Sequence, residues 1–168
     1  MQEQTAYDVA SIDFSQCVAD RDVIRRVNPH RHEFELLTAV VLIDPGKKIV
    51  VGFKDVRDDE FWCRGHFPGK PVMPGVLMLE AGAQLCNYYT VTERVVDEDA
   101  LMGLGGFEEA RFYRTVSPGE RLVIVGEGLR LNRRMTKCKA TGYVGQERAF
   151  EAIVIGVPIG KRGDLAKS

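Results

Sequence analysis

A chain of 168 residues that is 45% hydrophobic and 28% charged is long enough to bury the core of one globular domain. Its 23 basic and 24 acidic residues leave a formal charge of −1, which excludes the overall basic excess of a nucleic-acid-binding protein. The longest apolar run, residues 72–89, is interrupted by Pro74, Glu80 and Gln84 and therefore does not predict a membrane span.

The cysteines and the start of the chain indicate the compartment. Cys17, Cys63, Cys86 and Cys138 lack the spacing of a disulfide framework or of a metal site. The first residues have neither the basic start nor the apolar core of a signal peptide. We therefore expect reduced thiols, no bound metal and a cytoplasmic location.

The first third of the chain predicts an arm, a short helix and a hairpin. Residues 1 to about 19 are polar and weakly patterned, which indicates a loose arm. The sequence DRDVIRRV, residues 20–27, predicts a helix that ends at Asn28 and Pro29. FELLTAVVLI and KIVVGFKDV are rich in aliphatic residues, and the DPGK turn between them predicts a β-hairpin.

The middle of the chain predicts a rigid loop followed by a buried helix. Residues 65–75 contain three prolines and three glycines, which exclude a regular element and favour a fixed, irregular path. A helix is predicted from Gly75 to about Arg94. Its apolar positions cover nearly the whole circumference, so we expect it to be buried on most sides.

The remainder of the chain predicts the sheet that buries this helix. ALMGLGGFEEA, RFYRTVSPGE, RLVIVGEGLRLN, MTKCKATGYVG and RAFEAIVIGVPI are β-like stretches separated by turn residues. The tail, residues 160–168, is polar and is predicted to fray. The predicted fold is α+β, one domain over residues 1–168 in which an antiparallel sheet curls around a long helix.

Glu80 is the first candidate for chemistry. It follows Val76 by one turn on an otherwise apolar helix, where burial disfavours the charged form. We expect its pKa to be raised, which would leave a general acid that holds its proton near neutral pH. The alternative is a structural carboxylate, hydrogen-bonded to Gln84 or to a backbone amide.

His66 and Gly75 complete the candidate site. A neutral imidazole suits proton removal near pH 7, although a lone histidine is also a common surface or core residue. Pro74 and Gly75 open the helix, where free backbone N–H groups can hold an oxygen that gains negative charge. A base, an acid and an oxyanion donor together indicate proton abstraction next to a carbonyl, with loss or migration of a group.

The complete string GHFPGKPVMPGVLMLEAGAQ, residues 65–84, closely resembles the signature of the FabZ-type β-hydroxyacyl-acyl carrier protein dehydratases of bacterial type II fatty-acid synthesis. The resemblance continues through NPHRHEF and GGFEEARFYRTVSPGERL and covers roughly residues 24–157. It implies a hot-dog fold, a homodimer that can assemble into a trimer of dimers, and an acyl carrier protein as the partner. It implies no metal or organic cofactor.

The resemblance also implies roles for three residues. His66 corresponds to the base that removes the C2 proton of a (3R)-3-hydroxyacyl thioester, and Glu80 to the acid that protonates the departing C3 hydroxyl. Gly75 corresponds to the residue whose amide polarises the thioester carbonyl. In such dimers one active site takes its histidine and its glutamate from different subunits. Glutamate at position 80, where related dehydratase–isomerases have aspartate, favours simple dehydration.

Other residues are candidates for contacts with the substrate and the carrier protein. The candidates for the acyl slot are Phe67, Val72, Met73, Val76, Gln84 and Phe107. The cations proposed to dock an acidic carrier protein are Arg111, Arg114, Arg133, Arg134 and Lys137. Core packing and ordinary surface charge explain the same residues equally well. The sequence shows no partner for His30 or His32, which we interpret as structural, and Trp62 and Cys63 are interpreted as packing residues.

Two other functions use the same fold. A hot-dog acyl thioesterase would attack the thioester with water activated by a carboxylate and would not need the pair of His66 and Glu80. A non-catalytic acyl-binding module would not need two ionisable residues in costly surroundings. We therefore expect dehydration of a 3-hydroxyacyl-acyl carrier protein, with these two classes as alternatives.

Overall fold

The computed structural model describes residues 7–165. Within this range it contains two α-helices and six strands: α1 (Arg21–Val27), β1 (Ala39–Asp44), β2 (Ile49–Asp55), α2 (Gly75–Thr92), β3 (Ala100–Phe112), β4 (Arg121–Asn132), β5 (Met135–Val144) and β6 (Glu147–Lys161). All the strands pair antiparallel in one sheet with the order β1-β2-β4-β5-β6-β3. The predicted α+β architecture is confirmed.

The long helix α2 lies against the concave face of this sheet. Small residues allow the close approach: a side chain at Gly82 would come within 2.9 Å of Ala140, and one at Gly52 within 2.8 Å of Leu85. Leu85 and Phe150 are completely buried between helix and sheet. Most side chains of α2 are buried, as the apolar residues around nearly its whole circumference predict.

The first described residues are not a loose arm, which corrects the prediction for residues 7–19. Ile12 packs on a second apolar cluster, on the convex face of the sheet, that includes Val51 and Val123. Farther along, the N–H of Val40 donates to the carbonyl of Ala19 at 2.8 Å, so the segment adds a short bridge to the edge of β1. The segment therefore forms a strap across the back of the sheet. Residues 1–6 lie outside the described part of the chain.

The predicted frayed tail is also ordered as far as it is described. Strand β6 continues to Lys161, whose ammonium lies 3.3 Å from Asp99. The guanidinium of Arg162 donates to the carbonyl of Val27 at 2.7 Å, which ties the tail to the end of α1. Residues 166–168 lie outside the described range.

Two predicted strand boundaries differ from the structure. The first strand begins at Ala39, because residues before it form a 3₁₀ turn over His32–Phe34. RFYRTVSPGE is not a strand of its own: its first two residues end β3, and a loop follows in which Arg114 and Glu120 pair at 2.6 Å. The helices of the described range include none long and apolar enough to cross a membrane.

Candidate active site

The loop that carries His66 is anchored at a buried tryptophan. Trp62 is 4% exposed, and its carbonyl accepts the N–H groups of Gly65 at 3.1 Å and of His66 at 2.8 Å. The carbonyl of His66 in turn accepts the N–H of Val72 at 2.8 Å. These bonds fix the backbone on both sides of the histidine, as the proline and glycine content predicted. The Trp62 side chain belongs to the core cluster, which agrees with its interpretation as a packing residue.

A buried ion pair supports the same loop. The ammonium of Lys54 on β2 lies 2.6 Å from the carboxylate of Glu60, and the two side chains are only 4% and 11% exposed. The carbonyl of Glu60 accepts the N–H of Cys63 at 2.9 Å. The ion pair therefore connects the loop to the sheet at Glu60, six residues before His66.

The ring of His66 is oriented by one backbone group. Its Nδ1 lies 2.7 Å from the carbonyl oxygen of Val72. Because a carbonyl can only accept, the neutral ring carries its proton on Nδ1 and keeps a lone pair on Nε2. This Nε2 makes no hydrogen bond within the described part of the chain, so it is free to remove a proton from a ligand.

The helix that follows offers backbone donors at its first turn. The N–H groups of Leu77 and Met78 donate to the carbonyl of Pro74, whereas those of Gly75 and Val76 have no acceptor among the described residues. Gly75 also lies against an aromatic ring, since a side chain there would come within 2.8 Å of Phe112. Free donors at the positive end of an 18-residue helix can hold an oxygen that is gaining charge.

Glu80 lies further along α2 with one carboxylate oxygen held and the other free. Its Oε1 accepts from Nε2 of Gln84 at 2.9 Å and lies 3.2 Å from Nε2 of His30. Its Oε2 makes no hydrogen bond within residues 7–165 and remains accessible. The hydrogen bond to Gln84 is the one that the sequence offered as a structural alternative.

The direction of the Glu80 pKa corrects the prediction from the sequence. Burial is the strongest influence and raises the pKa, as expected. Hydrogen bonds from His30 and Gln84, together with the positive charge that the His30 ring has when it is protonated, lower it by more, so that the pKa lies below its usual value. In this single chain Glu80 is therefore an ionised carboxylate at neutral pH.

His30 is the partner that the sequence did not reveal. The sequence shows no group beside it, yet the carboxylate of Glu80, 50 positions later in the chain, lies within hydrogen-bonding distance. The residue belongs to the stretch NPHRHEF, which resembled the dehydratases, and this was the one signal available. His32, two residues later, lies in the 3₁₀ turn.

Gln84 connects the helix to the segment that carries His30. Its Nε2 donates to the carbonyl of Phe34 at 2.8 Å and its Oε1 accepts the N–H of Leu36 at 3.2 Å. Asn28 donates to the Gln84 carbonyl at 2.9 Å and accepts from Asn87 at 2.8 Å. The network holds residues 28–36 against α2 and so sets the position of His30.

A cavity of about 70 Å³ extends from Glu80 along α2, between the helix and strands β3, β5 and β6. Residues from both sides line it: His30, Glu80, Ala83, Gln84, Cys86, Asn87, Thr90, Met102, Thr136, Val154 and Gly156 are among them. Most were missed from the sequence. The helical members follow Glu80 at intervals of three and four, which is the signal that would have identified this face.

The predicted acyl-slot residues divide between core and surface. Gln84 lines the cavity, whereas Met73 is buried in the core and Phe107 packs beside it. Phe67 and Val76 are 54% and 70% exposed, and Val72 is half-buried. Phe67, Val72 and Met73 lie in the loop that follows His66, and Val76 lies in the first turn of α2. Phe107 pairs in the sheet with Val154, which lines the cavity. Their role stays a prediction.

The five predicted docking cations form two groups. One consists of Arg111 and Arg114, and the other of Arg133, Arg134 and Lys137. Arg114 pairs with Glu120 and Glu147, and the ammonium of Lys137 contacts both oxygens of Glu108. Arg111 points outward, 3.7 Å from Glu151, while Arg133 and Arg134 lie in the turn between β4 and β5. In the sheet register Arg111 pairs with Glu151 whereas Lys137 pairs with Ile155, so the groups lie at different points along β6. Docking stays a prediction.

His66 and Glu80 have separate surroundings in one chain. His66 is held by Val72 and the loop, and Glu80 by His30 and Gln84, so within residues 7–165 the two share no hydrogen-bond or ion-pair partner. Among the described residues, no group of three or more His, Cys, Asp or Glu side chains is placed to hold a metal ion.

A sheet wrapped around a central helix defines the hot-dog class of proteins, and solved structures agree. The dehydratase heterocomplex ApeI:P from Xenorhabdus doucetiae matches with a TM-score of 0.69 at 18% identity, over 82% of this chain and 91% of that one. A hypothetical thioesterase with coenzyme A from Streptococcus pneumoniae matches with a TM-score of 0.53 at 10% identity, over 73% and 86%. At these identities the likeness is one of fold.

Sequence comparison goes further. Residues 28–153 match the model of the FabA-like domain. A 3-hydroxyacyl-[acyl-carrier-protein] dehydratase FabZ from Desulforamulus reducens is 40% identical over 133 residues, covering 79% of this chain and 92% of the relative. A protein of the same name from an Anaeromyxobacter species is 40% identical over 141 residues, covering 80% and 87%. The chain belongs to the FabA-like family, among its FabZ-type dehydratases.

Proposed function

We propose that this chain dehydrates (3R)-3-hydroxyacyl-acyl carrier protein to the trans-2-enoyl product in fatty-acid or related lipid biosynthesis, with His66 as base and Glu80 as acid. The observation that carries the assignment of roles is that each side chain is held through one atom and keeps another free: Nε2 of His66 and Oε2 of Glu80. The relatives at about 40% identity carry the name of this reaction.

The proposed elimination is balanced within the site. Nε2 of His66 takes the C2 proton, the C2–H electrons form the C2=C3 double bond, and the C3–O bond breaks. Oε2 of Glu80 gives its proton to the departing hydroxyl, which leaves as water. Negative charge that develops on the thioester oxygen is stabilised by the free N–H of Gly75 at the start of α2. A proton then returns from His66 to Glu80 through solvent.

A general acid must hold a proton, and we infer that substrate binding raises the pKa of Glu80 enough for this. The side chain is 25% exposed in the single chain, and burial is already the strongest influence on its pKa. An acyl chain and a second subunit that cover this exposed part would strengthen the effect of burial and raise the pKa. Glu80 would then hold a proton when the substrate is in place.

The proposed partners are an acyl carrier protein and a second copy of the chain. Strand β3 ends the sheet, and Leu104 and Phe112 on it are about half exposed, whereas the other edge is bridged by Ala19. An unpaired edge with exposed apolar side chains favours pairing with another copy. In the proposed dimer His66 of one copy serves Glu80 of the other, and a trimer of dimers remains the proposed larger form. We keep the cytoplasm as the proposed location.

The test is the absorbance of the conjugated 2-enoyl thioester after the protein meets a (3R)-3-hydroxyacyl carrier substrate. We expect the signal with the natural chain and its loss in His66→Ala. Release of free thiol without enoyl product would instead assign a thioesterase. Binding with neither product would assign an acyl-binding module.

A further inference from the structure

The contact between His30 and Glu80 has a geometry that indicates a role for His30. The two side chains come from different parts of the chain, and Nε2 of His30 lies 3.2 Å from Oε1 of Glu80. The same Oε1 accepts from Gln84 at 2.9 Å. Two nitrogen groups thus converge on one oxygen of a residue that lines the cavity, and within the described residues Oε2 has no hydrogen-bond partner.

The second ring nitrogen of His30 fixes the tautomer. Nδ1 is buried and has no hydrogen-bond partner within the described residues. A proton on Nδ1 would be a buried donor without an acceptor, which is costly, whereas a proton on Nε2 meets the glutamate oxygen. Neutral His30 therefore carries its proton on Nε2 and donates to Glu80.

This arrangement suits an acid that must gain and lose a proton on one defined oxygen. Oε1 can accept from both nitrogens whether Glu80 is ionised or carries its proton on Oε2. The two contacts therefore need not break when the proton leaves. They also stabilise the carboxylate that remains after proton transfer.

Other charged groups also lie near His30, and two of them neutralise each other. A small cavity there is also lined by Arg21 and Arg25 from α1 and by Glu35. Arg25 and Glu35 pair with each other at 3.1 Å, and Glu80 is the carboxylate in contact with the His30 ring. The glutamate of the candidate site is thus the group on which a change at His30 should act.

We propose that His30 is a positioning residue for Glu80: with Gln84 it holds Oε1 so that Oε2 is the oxygen that exchanges a proton with the substrate. The inference rests on the proposed function and adds a residue to it. His30 touches no reacting atom in this scheme and acts only through the carboxylate.

Three variants separate this role from simple packing. His30→Gln places an amide N–H near the position of Nε2, His30→Asn places it near the position of Nδ1, and His30→Ala removes both. We expect kcat to fall about 10- to 100-fold in the Ala and Asn variants, with KM changed by less than about 3-fold, and to recover largely in the Gln variant. His32→Gln, in the same stretch, serves as the control and should match the natural chain.

A titration that needs no turnover provides the second readout. Carbon-13 NMR of labelled glutamate carboxyls, with Glu80 identified by the loss of its signal in Glu80→Gln, should show a higher Glu80 pKa in His30→Ala than in the natural chain. The pKa should be restored in His30→Gln. These changes in the Glu80 pKa are expected even if the natural chain forms no enoyl product. The absence of product would refute the proposed function and leave the positioning role standing.

Two outcomes would overturn the positioning role. One is an unchanged Glu80 pKa in His30→Ala. The other is an equal loss of kcat in the Gln and Asn variants, since a packing role does not distinguish where the amide lies.

Discussion

Glu80 combines two opposing influences within a few ångströms. Burial favours the protonated acid, while the donors around Oε1 favour the carboxylate and prevail in the single chain. Such a residue is poised to change its protonation state when its surroundings change.

The first prediction concerns the proton itself. Glu80→Gln keeps the shape of the side chain and a polar contact with Gln84, but it cannot donate a proton as an acid. We expect kcat to fall by about 10²- to 10⁴-fold with the fold intact by circular dichroism. Glu93→Gln, at the end of the same helix, is the matched control. Turnover near that of the natural chain in Glu80→Gln would exclude this glutamate as the acid.

The second prediction concerns the response of the pKa to substrate. In the free protein the Glu80 pKa should lie below the usual value for a glutamate side chain. Bound to an unreactive 3-hydroxyacyl thioether analogue, Glu80 should have a higher pKa than in the free protein, because the ligand excludes water. Carbon-13 NMR titration with and without the analogue measures the difference. A pKa that stays constant or falls would show that burial by the ligand does not load the acid.

Among the structural elements, the loop before α2 depends on a buried ion pair. Lys54 and Glu60 are both nearly inaccessible, so removal of one leaves the other charge buried and unpaired. Lys54→Met should lower the free energy of unfolding by about 3–5 kcal/mol, and the double variant Lys54→Met/Glu60→Met should recover most of it. Denaturant unfolding measures both.

The control for this pair is Glu98→Gln, which removes one partner of the exposed pair between Arg94 and Glu98 and should have no measurable effect. A double variant as unstable as Lys54→Met alone would show that packing, and not the unpaired charge, accounts for the loss.

The elements that the sequence predicted well are those specified by nearby residues. Helix α2 begins at Gly75, directly after the proline-rich loop, as the local pattern required. The strap formed by residues 7–19 was missed because its apolar side chains, such as Ile12, follow no regular period. Their partners on the sheet, such as Val123, lie far along the chain.

The same distinction explains the candidate site. The motif identified His66, Gly75 and Glu80 because they lie within 15 positions of one another. It could not give the direction of the Glu80 pKa, since that depends on His30, which the 3₁₀ turn and the Gln84 network bring back to the helix. Local pattern thus predicted the reacting groups, and long-range contacts decided their electrostatics.

At the scale of the whole molecule, the question is whether one chain holds a complete site. In the described range of a single copy, His66 and Glu80 share no hydrogen-bond partner, and β3 leaves an edge of the sheet without a partner strand. Pairing of two copies through this edge would make two equivalent sites, each with a histidine from one copy and a glutamate from the other. Neither site would then work with one copy alone.

Complementation between inactive variants tests this arrangement directly. His66→Ala and Glu80→Gln should each be nearly inactive, but refolding them together from denaturant should produce mixed dimers with one intact site out of two. Because half of the dimers are mixed at equal concentrations, activity should return to about a quarter of that of the natural chain. Two batches of the same variant, refolded together, provide the control. If each site were built within one chain, the mixture would stay as inactive as its components, and the shared site would have to be abandoned.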